Sequence, residues 1–238
     1  MNTIQIIGLG AGGIDDLTVR AYRALSENIP TFARTERHPA VKKLREEIKI
    51  ECFDDYFEKY ETFDKVYEKI TDNILELMKK YGKINYCTAG SPFYGDIITK
   101  KLIDEYKDEI NIIIIDGMSF LDKCIKLSGF SDYQSIKILD CLEADEFSFD
   151  INSFSIITQV YDWEMASQLK IKLMETYPDE ATVLKIDVLE DNVRKIPLFE
   201  LDQEKKYGFS TYFCILPIEF SKNTVYNVTN LCRIVKIL

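Results

Sequence analysis

The 238-residue sequence predicts an α/β fold of two lobes, with a mainly parallel sheet in the N-terminal lobe and a mixed sheet in the C-terminal lobe. Three observations carry this reading. Short apolar runs alternate with amphipathic helical runs up to residue 115, the pattern of β-α units around a parallel sheet. One of those runs, "INIIIID" at 110–116, is apolar almost throughout, as a strand buried on both faces must be. After Pro178 three strand-like runs follow one another, which a purely parallel sheet does not accommodate.

The elements follow in order. "TIQIIG" is a strand. "DDLTVRAYRALSE" is a helix with Leu17, Ala21, Ala24 and Leu25 near one face, and Asp15 or Asp16 is its expected N-cap. "PTFART" is a second, short strand. "FDKVYEKITDNILELMKKYG" repeats Val66, Ile70, Ile74, Leu77 and Met78 at helical spacing and closes on Gly82, a C-cap signal. "INYCTAG" is a strand, "YGDIITKKLIDEYKD" a helix and "INIIIID" the buried strand. In the second half, "MSFLDKCIKLSG" is a short helix and "SFSIITQVYD" a strand. "WEMASQLKIKLMETYP" is a helix closed by Pro178. "EATVLKIDVL", "KIPLFEL" and "STYFCILP" are the three successive strands. The expected lobes are 1–115 and 116–220, with 221–238 as a linker or the start of a further domain. Two such lobes are expected to enclose a ligand cleft.

Composition excludes several function classes. Hydrophobic residues make up 46% of the chain, enough for a full core. The net charge of -10 argues against nucleic acid, which needs a dense basic surface. No apolar run approaches the roughly 18 residues of a membrane span. The N-terminus enters a strand at once, without the charged and apolar regions of a signal peptide, so a cytoplasmic protein is expected. The cysteines at 52, 87, 124, 141, 214 and 232 form no C-x-x-C, and His38 is the one histidine. A structural zinc site therefore lacks ligands, and free, mostly buried thiols are expected.

Gly8, Gly10 and Gly13 satisfy G-x-G-x-x-G directly after the first strand. A dinucleotide fingerprint also needs an acidic residue at the end of the second strand. That strand ends in Arg34 and Thr35, with Glu36 just beyond. Asp15 and Asp16 stand where a helix N-terminus would meet a pyrophosphate, and would repel it. The turn fits a dinucleotide poorly. The alternative to a ligand-serving loop is that the glycines only allow a tight strand-to-helix turn.

"GLGAGGIDDLT" resembles the opening G-x-G-x-G-x-x-x-x-L-T motif of the tetrapyrrole methylases, a class of S-adenosylmethionine (SAM) dependent methyltransferases. "TAGSPFYGD" (88–96) is similar to that family's G-D-P-x-x-Y/F-G motif, and "DGMSFLDKCIKLSG" (116–129) to its G-x-S-x-x-x-A-x-x-x-x-G loop and helix. "ARTERHPAV", "CFDDYFEKYETFDKVYEKI", "IITQVYDWEMASQLKIKLMETYPDEATVLKI" and "KIPLFELDQ" resemble a narrower branch. That branch is the methylase-like domain at the N-terminus of MazG-family nucleotide pyrophosphohydrolases. The terminal "NVTNLCRIVKIL" resembles the start of the pyrophosphohydrolase domain's first helix, and no E-x-x-E pattern of that domain follows it.

The resemblance implies a tetrapyrrole methylase-like fold, SAM as cofactor, a small-molecule methyl acceptor and a homodimer. It implies SAM contacts at Leu9 in the glycine turn, at Gly90, Ser91 and Tyr94 in the second motif, and at Met118, Ser119 and Phe120 in the third. From the second lobe it implies Gln159, Val160 and Tyr161 at the strand end that covers the adenine. Ser91 replaces the motif's aspartate, a neutral partner in place of a charged one. Read alone, "GSPF" is a tight turn with Pro92 starting a helix. His38 can be a base on the acceptor side of the cleft, or a surface histidine at a helix start before Pro39. Asp54, Asp55 and Tyr56 read as a solvated loop after a strand, and "EADEF" (143–147) as exposed surface. Two functions follow: a SAM-dependent methyltransferase, or a regulatory module that keeps the fold and a small-molecule pocket beside a MazG-type domain.

Overall fold

A computed structural model describes residues 2–130, 135–146, 148–203 and 207–218. Its contacts divide the chain into two compact units, Met1–Phe120 and Leu121–Leu238. The expected tail, 221–238, and Cys232 lie outside the described residues.

The first unit contains β1 (Thr3–Gly8), α1 (Val19–Leu25), β2 (Thr31–Ala33), α2 (Pro39–Leu44), β3 (Ile50–Cys52), α3 (Asp54–Lys59), α4 (Phe63–Tyr81), β4 (Lys83–Thr88), α5 (Ile97–Tyr106) and β5 (Asn111–Ile115). All strand pairings are parallel, in the order β3-β2-β4-β1-β5. The two faces carry separate cores. Ile4, Ile6, Ile84 and Tyr86 pack with Val66, Ile70, Ile74 and Met78 of α4 and Ile98 and Leu102 of α5. Ile7, Ala33 and Cys87 pack with Ala21, Ala24 and Leu25 of α1 and Ala40, Val41 and Leu44 of α2. Burial on both faces explains why the central strands read as continuous apolar runs. One polar ladder crosses them: Gln5 Nε2 donates to Asn85 Oδ1 at 2.8 Å, and Asn85 Nδ2 to Thr31 Oγ1 at 3.1 Å.

The second unit opens within α6 (Phe120–Ser128), followed by β6 (Ile136–Asp140), β7 (Phe154–Thr158), α7 (Trp163–Met174), β8 (Thr182–Asp187), β9 (Asn192–Pro197) and β10 (Thr211–Ile215). The order is β6-β7-β10-β8-β9. Only β6 and β7 pair in parallel; the other pairings are antiparallel, so the sheet is mixed as expected.

Several local expectations are corrected. Neither Asp15 nor Asp16 caps α1. They belong to a 3-10 turn, Ile14–Asp16, and Thr18 is the N-cap, accepting from the Ala21 N–H at 3.0 Å. Pro92 starts no helix: 92–95 is a turn, and α5 begins at Ile97 with Asp96 as its cap. "KIPLFEL" is a strand only to Pro197; Leu198–Gln203 is a 3-10 turn whose Leu198 and Leu201 are buried. Asp54, Asp55 and Tyr56 are the first turn of α3, not a loop.

Candidate functional site at the carboxyl edge of the first sheet

Parallel pairing aligns Gly8 with Thr88, Ile7 with Ile115 and Ala33 with Cys87. The segments that leave β1, β4, β5 and β2 therefore gather at one edge. The chain runs from β2 outward to β3 and from the neighbouring β4 the other way to β5. Where outgoing connections diverge, an open α/β sheet has its crevice.

Glycine makes this edge possible. A Cβ on Gly8 would lie 2.5 Å from both Gly117 N and Gly90 O, and one on Gly117 would lie 2.2 Å from Gly90 O. Three strand exits thus meet backbone to backbone. Gly10 and Gly90 form a two-residue bridge, with Gly90 N–H donating to Gly10 O at 2.8 Å and Gly10 N–H to Gly90 O at 3.3 Å. Both have left-handed backbones, at φ 80° and 65°. Gly90 alone of the three exit glycines faces room: the nearest atom to its would-be Cβ is Met118 O at 4.0 Å.

The residues expected at the site fall into distinct settings. The Leu9 side chain is in the core, and its N–H donates to Thr88 O at 2.9 Å, so only its backbone belongs to the turn. Ser91 is half-buried, and its Oγ accepts from Phe93 N–H at 3.5 Å inside the 91–94 turn. Tyr94 is exposed and meets the edge of Phe120 with ring centroids 6.2 Å apart. Met118 and Ser119 are half-buried in the segment after Gly117, and Phe120 is buried at the start of α6. Thr88 Oγ1, at the last residue of β4, is buried without a hydrogen-bond partner among the described residues.

His38 is not at the surface. It is 2% exposed, its Nδ1 accepts from Ala40 N–H at 3.3 Å as the N-cap of α2, and its Nε2 lies 3.0 Å from Gly10 O. An accepting Nδ1 leaves Nε2 as the protonated nitrogen, so the ring donates to Gly10 O. Nδ1 thus caps α2 while Nε2 ties that helix start to the glycine turn. The neighbouring loop is tied down too: Asp54 accepts from Thr35 Oγ1 at 2.6 Å and from Glu36 N–H at 2.7 Å.

One feature of the crevice is absent from the sequence reading. Arg34, just past β2, pairs with Asp96, just before α5, at 3.4 Å. Asp96 is buried and also accepts from the Thr99 N–H and hydroxyl and from Tyr86 OH at 3.3 Å. Burial, with the Asp96 charge beside it, holds the Tyr86 phenol well above its usual range. The available signal was positional: Arg34 and Asp96 flank the two diverging strands.

In the second unit, Gln159, Val160 and Tyr161 leave β7 at its carboxyl end. Val160 is buried and Tyr161 exposed. Gln159 has φ 64° and is hydrogen-bonded to Asp140 and Tyr161. The described thiols of Cys52, Cys87, Cys124, Cys141 and Cys214 are free and all but Cys52 are buried. Among the described residues no cluster has the makings of a metal site, and no helix is long and apolar enough to cross a membrane.

A family model described as Tetrapyrrole (Corrin/Porphyrin) Methylases matches residues 3–186. The chain is 32% identical over 226 residues to Uncharacterized protein YabN of Bacillus subtilis (strain 168), a match covering 92% of this chain and 46% of that protein. The chain thus spans about half the length of the curated relative it matches. Uroporphyrin-III C-methyltransferase from Thermus thermophilus superposes with a TM-score of 0.68 at 16% identity, covering 93% of this chain and 95% of that one. The same enzyme complexed with S-adenyl homocysteine gives 0.63 at 12%, covering 93% of each chain. Precorrin-6Y methylase from Archaeoglobus fulgidus gives 0.63 at 15%, covering 91% of this chain and 98% of that one.

Proposed function

This chain belongs to the tetrapyrrole methylase family, and on that premise we propose that it is a SAM-dependent methyltransferase acting on a small molecule. The carrying observation is the meeting of Gly8, Gly90 and Gly117, which leaves open space only beside Gly90. SAM presents an amine, a carboxylate, a ribose diol and an adenine, and the edge offers polar groups of matching kind. These are the Ser91 hydroxyl, the orphaned Thr88 hydroxyl and the backbone of Leu9, Gly90, Met118, Ser119 and Phe120. When bound, SAM supplies a methyl group already activated by its sulfonium. The chain's part is to align donor and acceptor and keep water out. Tyr94 and Phe120 form an aromatic wall beside Gly90's turn for that purpose. His38 acts through the turn it holds rather than as a base. Gln159, Val160 and Tyr161 are proposed as SAM contacts on the motif resemblance.

A second reading is a regulatory module of a longer, MazG-type protein, possessing the fold and a ligand pocket but no transferase activity. Ser91 in place of the motif's aspartate favours it.

Isothermal titration with SAM, S-adenosylhomocysteine, NADH and nucleotides separates the readings. We expect SAM and S-adenosylhomocysteine to bind and NADH not to. Gly90→Trp should abolish that binding while the protein stays folded. No SAM binding at millimolar concentration, in either the parent or Ser91→Asp, removes the methyltransferase reading.

A further inference from the structure

The Gln159 backbone is in a region that residues with a Cβ avoid. Among the described residues the only other such case is Asp191, at φ 47° in the tight turn from β8 to β9. Gln159 has no such turn to explain it; it directly follows β7. Strained backbone persists where its surroundings over-determine it, and such positions cluster at ligand sites.

Its side chain shows what holds it. Parallel pairing sets Asp140 opposite Thr158, so β6 and β7 end together. Gln159 Nε2 donates to Asp140 Oδ2 at 2.6 Å, and Tyr161 OH donates to Gln159 Oε1 at 2.6 Å. Asp140 Oδ1 accepts from Leu142 N–H at 3.0 Å. A carboxylate only accepts, so it dictates the amide's orientation, and the amide oxygen then claims the tyrosine proton. The polarity of the whole relay is set at Asp140. What Tyr161 Oη turns toward any further partner is therefore a lone pair. Tyr161 is exposed, and Leu142 and Trp163, 65% and 62% exposed, flank the same strand ends with apolar surface suited to a flat ring.

We propose that the Asp140–Gln159–Tyr161 relay makes this edge select a ring bearing a hydrogen-bond donor, such as the exocyclic amine of adenine, over the same ring bearing an oxo group. The proposal rests on the SAM reading above and extends it to Asp140, a positioning residue that acts through Gln159. In Asp140→Asn the new amide keeps its oxygen on Leu142 N–H and turns its NH2 to Gln159. The glutamine must flip, its NH2 then faces Tyr161, and the phenol proton is released outward. The preference should reverse toward the oxo ring.

The test is titration of the full chain with S-adenosylhomocysteine and with its deaminated counterpart, S-inosylhomocysteine. The parent should favour the amine by roughly tenfold, the size of one well-placed hydrogen bond against a mismatched one. Asp140→Asn should lower that ratio at least tenfold, and Tyr161→Phe, at an exposed position that does not threaten folding, should bring it near unity. Thermal unfolding of each variant checks the fold; if Asp140→Asn does not fold, Tyr161→Phe decides. Ratios unchanged in the folded variants overturn the relay and leave the SAM reading standing. A parent that binds neither ligand overturns both.

Discussion

The three exit glycines do different work, and the difference is measurable. At Gly8 and Gly117 a methyl group would overlap backbone atoms at 2.2–2.8 Å, and backbone cannot swing aside as a side chain can. Gly8→Ala and Gly117→Ala should each cost about 3 kcal/mol or more, read from denaturant midpoints. Gly90→Ala meets no atom nearer than 4.0 Å and should cost only the left-handed strain, about 1–2 kcal/mol. Equal costs at all three positions would contradict the packed junction. Ser91→Asp should raise SAM affinity about tenfold in titration, since a charge-assisted hydrogen bond is roughly twice as strong as a neutral one. Unchanged affinity would remove Ser91 from the site. The thiols predict a pH dependence. Burial pushes Cys52 and Cys141 from 9.0 up to about 11, and Cys87 further still. Below pH 9 these thiols are protonated whether folded or not. Above it the unfolded thiols ionise first, so stability should fall between pH 9 and 11. Replacing Cys87, Cys141 and Cys52 by Ala should flatten that slope in melts run across the range.

At the scale of elements, α1 has only seven residues, too few to persist without tertiary support. Its cap is therefore exposed to test. Thr18 accepts from Ala21 N–H at 3.0 Å and donates to Asp116 O at 3.1 Å, tying the start of α1 to the exit of β5. Thr18→Ala should cost about 1–2 kcal/mol. Asp15→Ala, at an exposed position outside the cap, should stay within about 0.5 kcal/mol. The reverse order would restore the aspartate cap that the sequence suggested. The long α4 was legible because Val66, Ile70, Ile74 and Met78 recur on one face and Gly82 ends it, at φ 75° with its N–H on Met78 O at 2.7 Å. The edge strand β6 was not: "IKILD" is five residues with no face wholly buried, so it carries no periodic signal.

For the whole molecule, the homodimer that the motif resemblance implies predicts a light-scattering mass of twice the chain's 27.7 kDa; the monomer mass at micromolar concentration would exclude it. The two-sheet architecture was readable because each sheet imposes its own rhythm on the chain. Strands separated by helices demand parallel crossovers, while runs joined by short turns can pair antiparallel. The strand order β3-β2-β4-β1-β5 was not readable, because alternation says which segments are strands and nothing about their neighbours.

The sequence by itself determined the fold class, the family motifs and the glycine turn after β1. These depend on local chemistry: apolar period, capping signals and backbone positions that only glycine tolerates. Tertiary structure alone decided which groups meet. Arg34 and Asp96 are 62 residues apart and touch because β2 and β4 are neighbours. His38 looks like a histidine before a helix until packing sets its Nε2 on Gly10 O, 28 residues earlier. Asp140 and Gln159, 19 apart, form one relay because β6 and β7 end in register. A side chain's type is written in the chain, but its partner is set by register and sheet order, which arise only when distant segments pack.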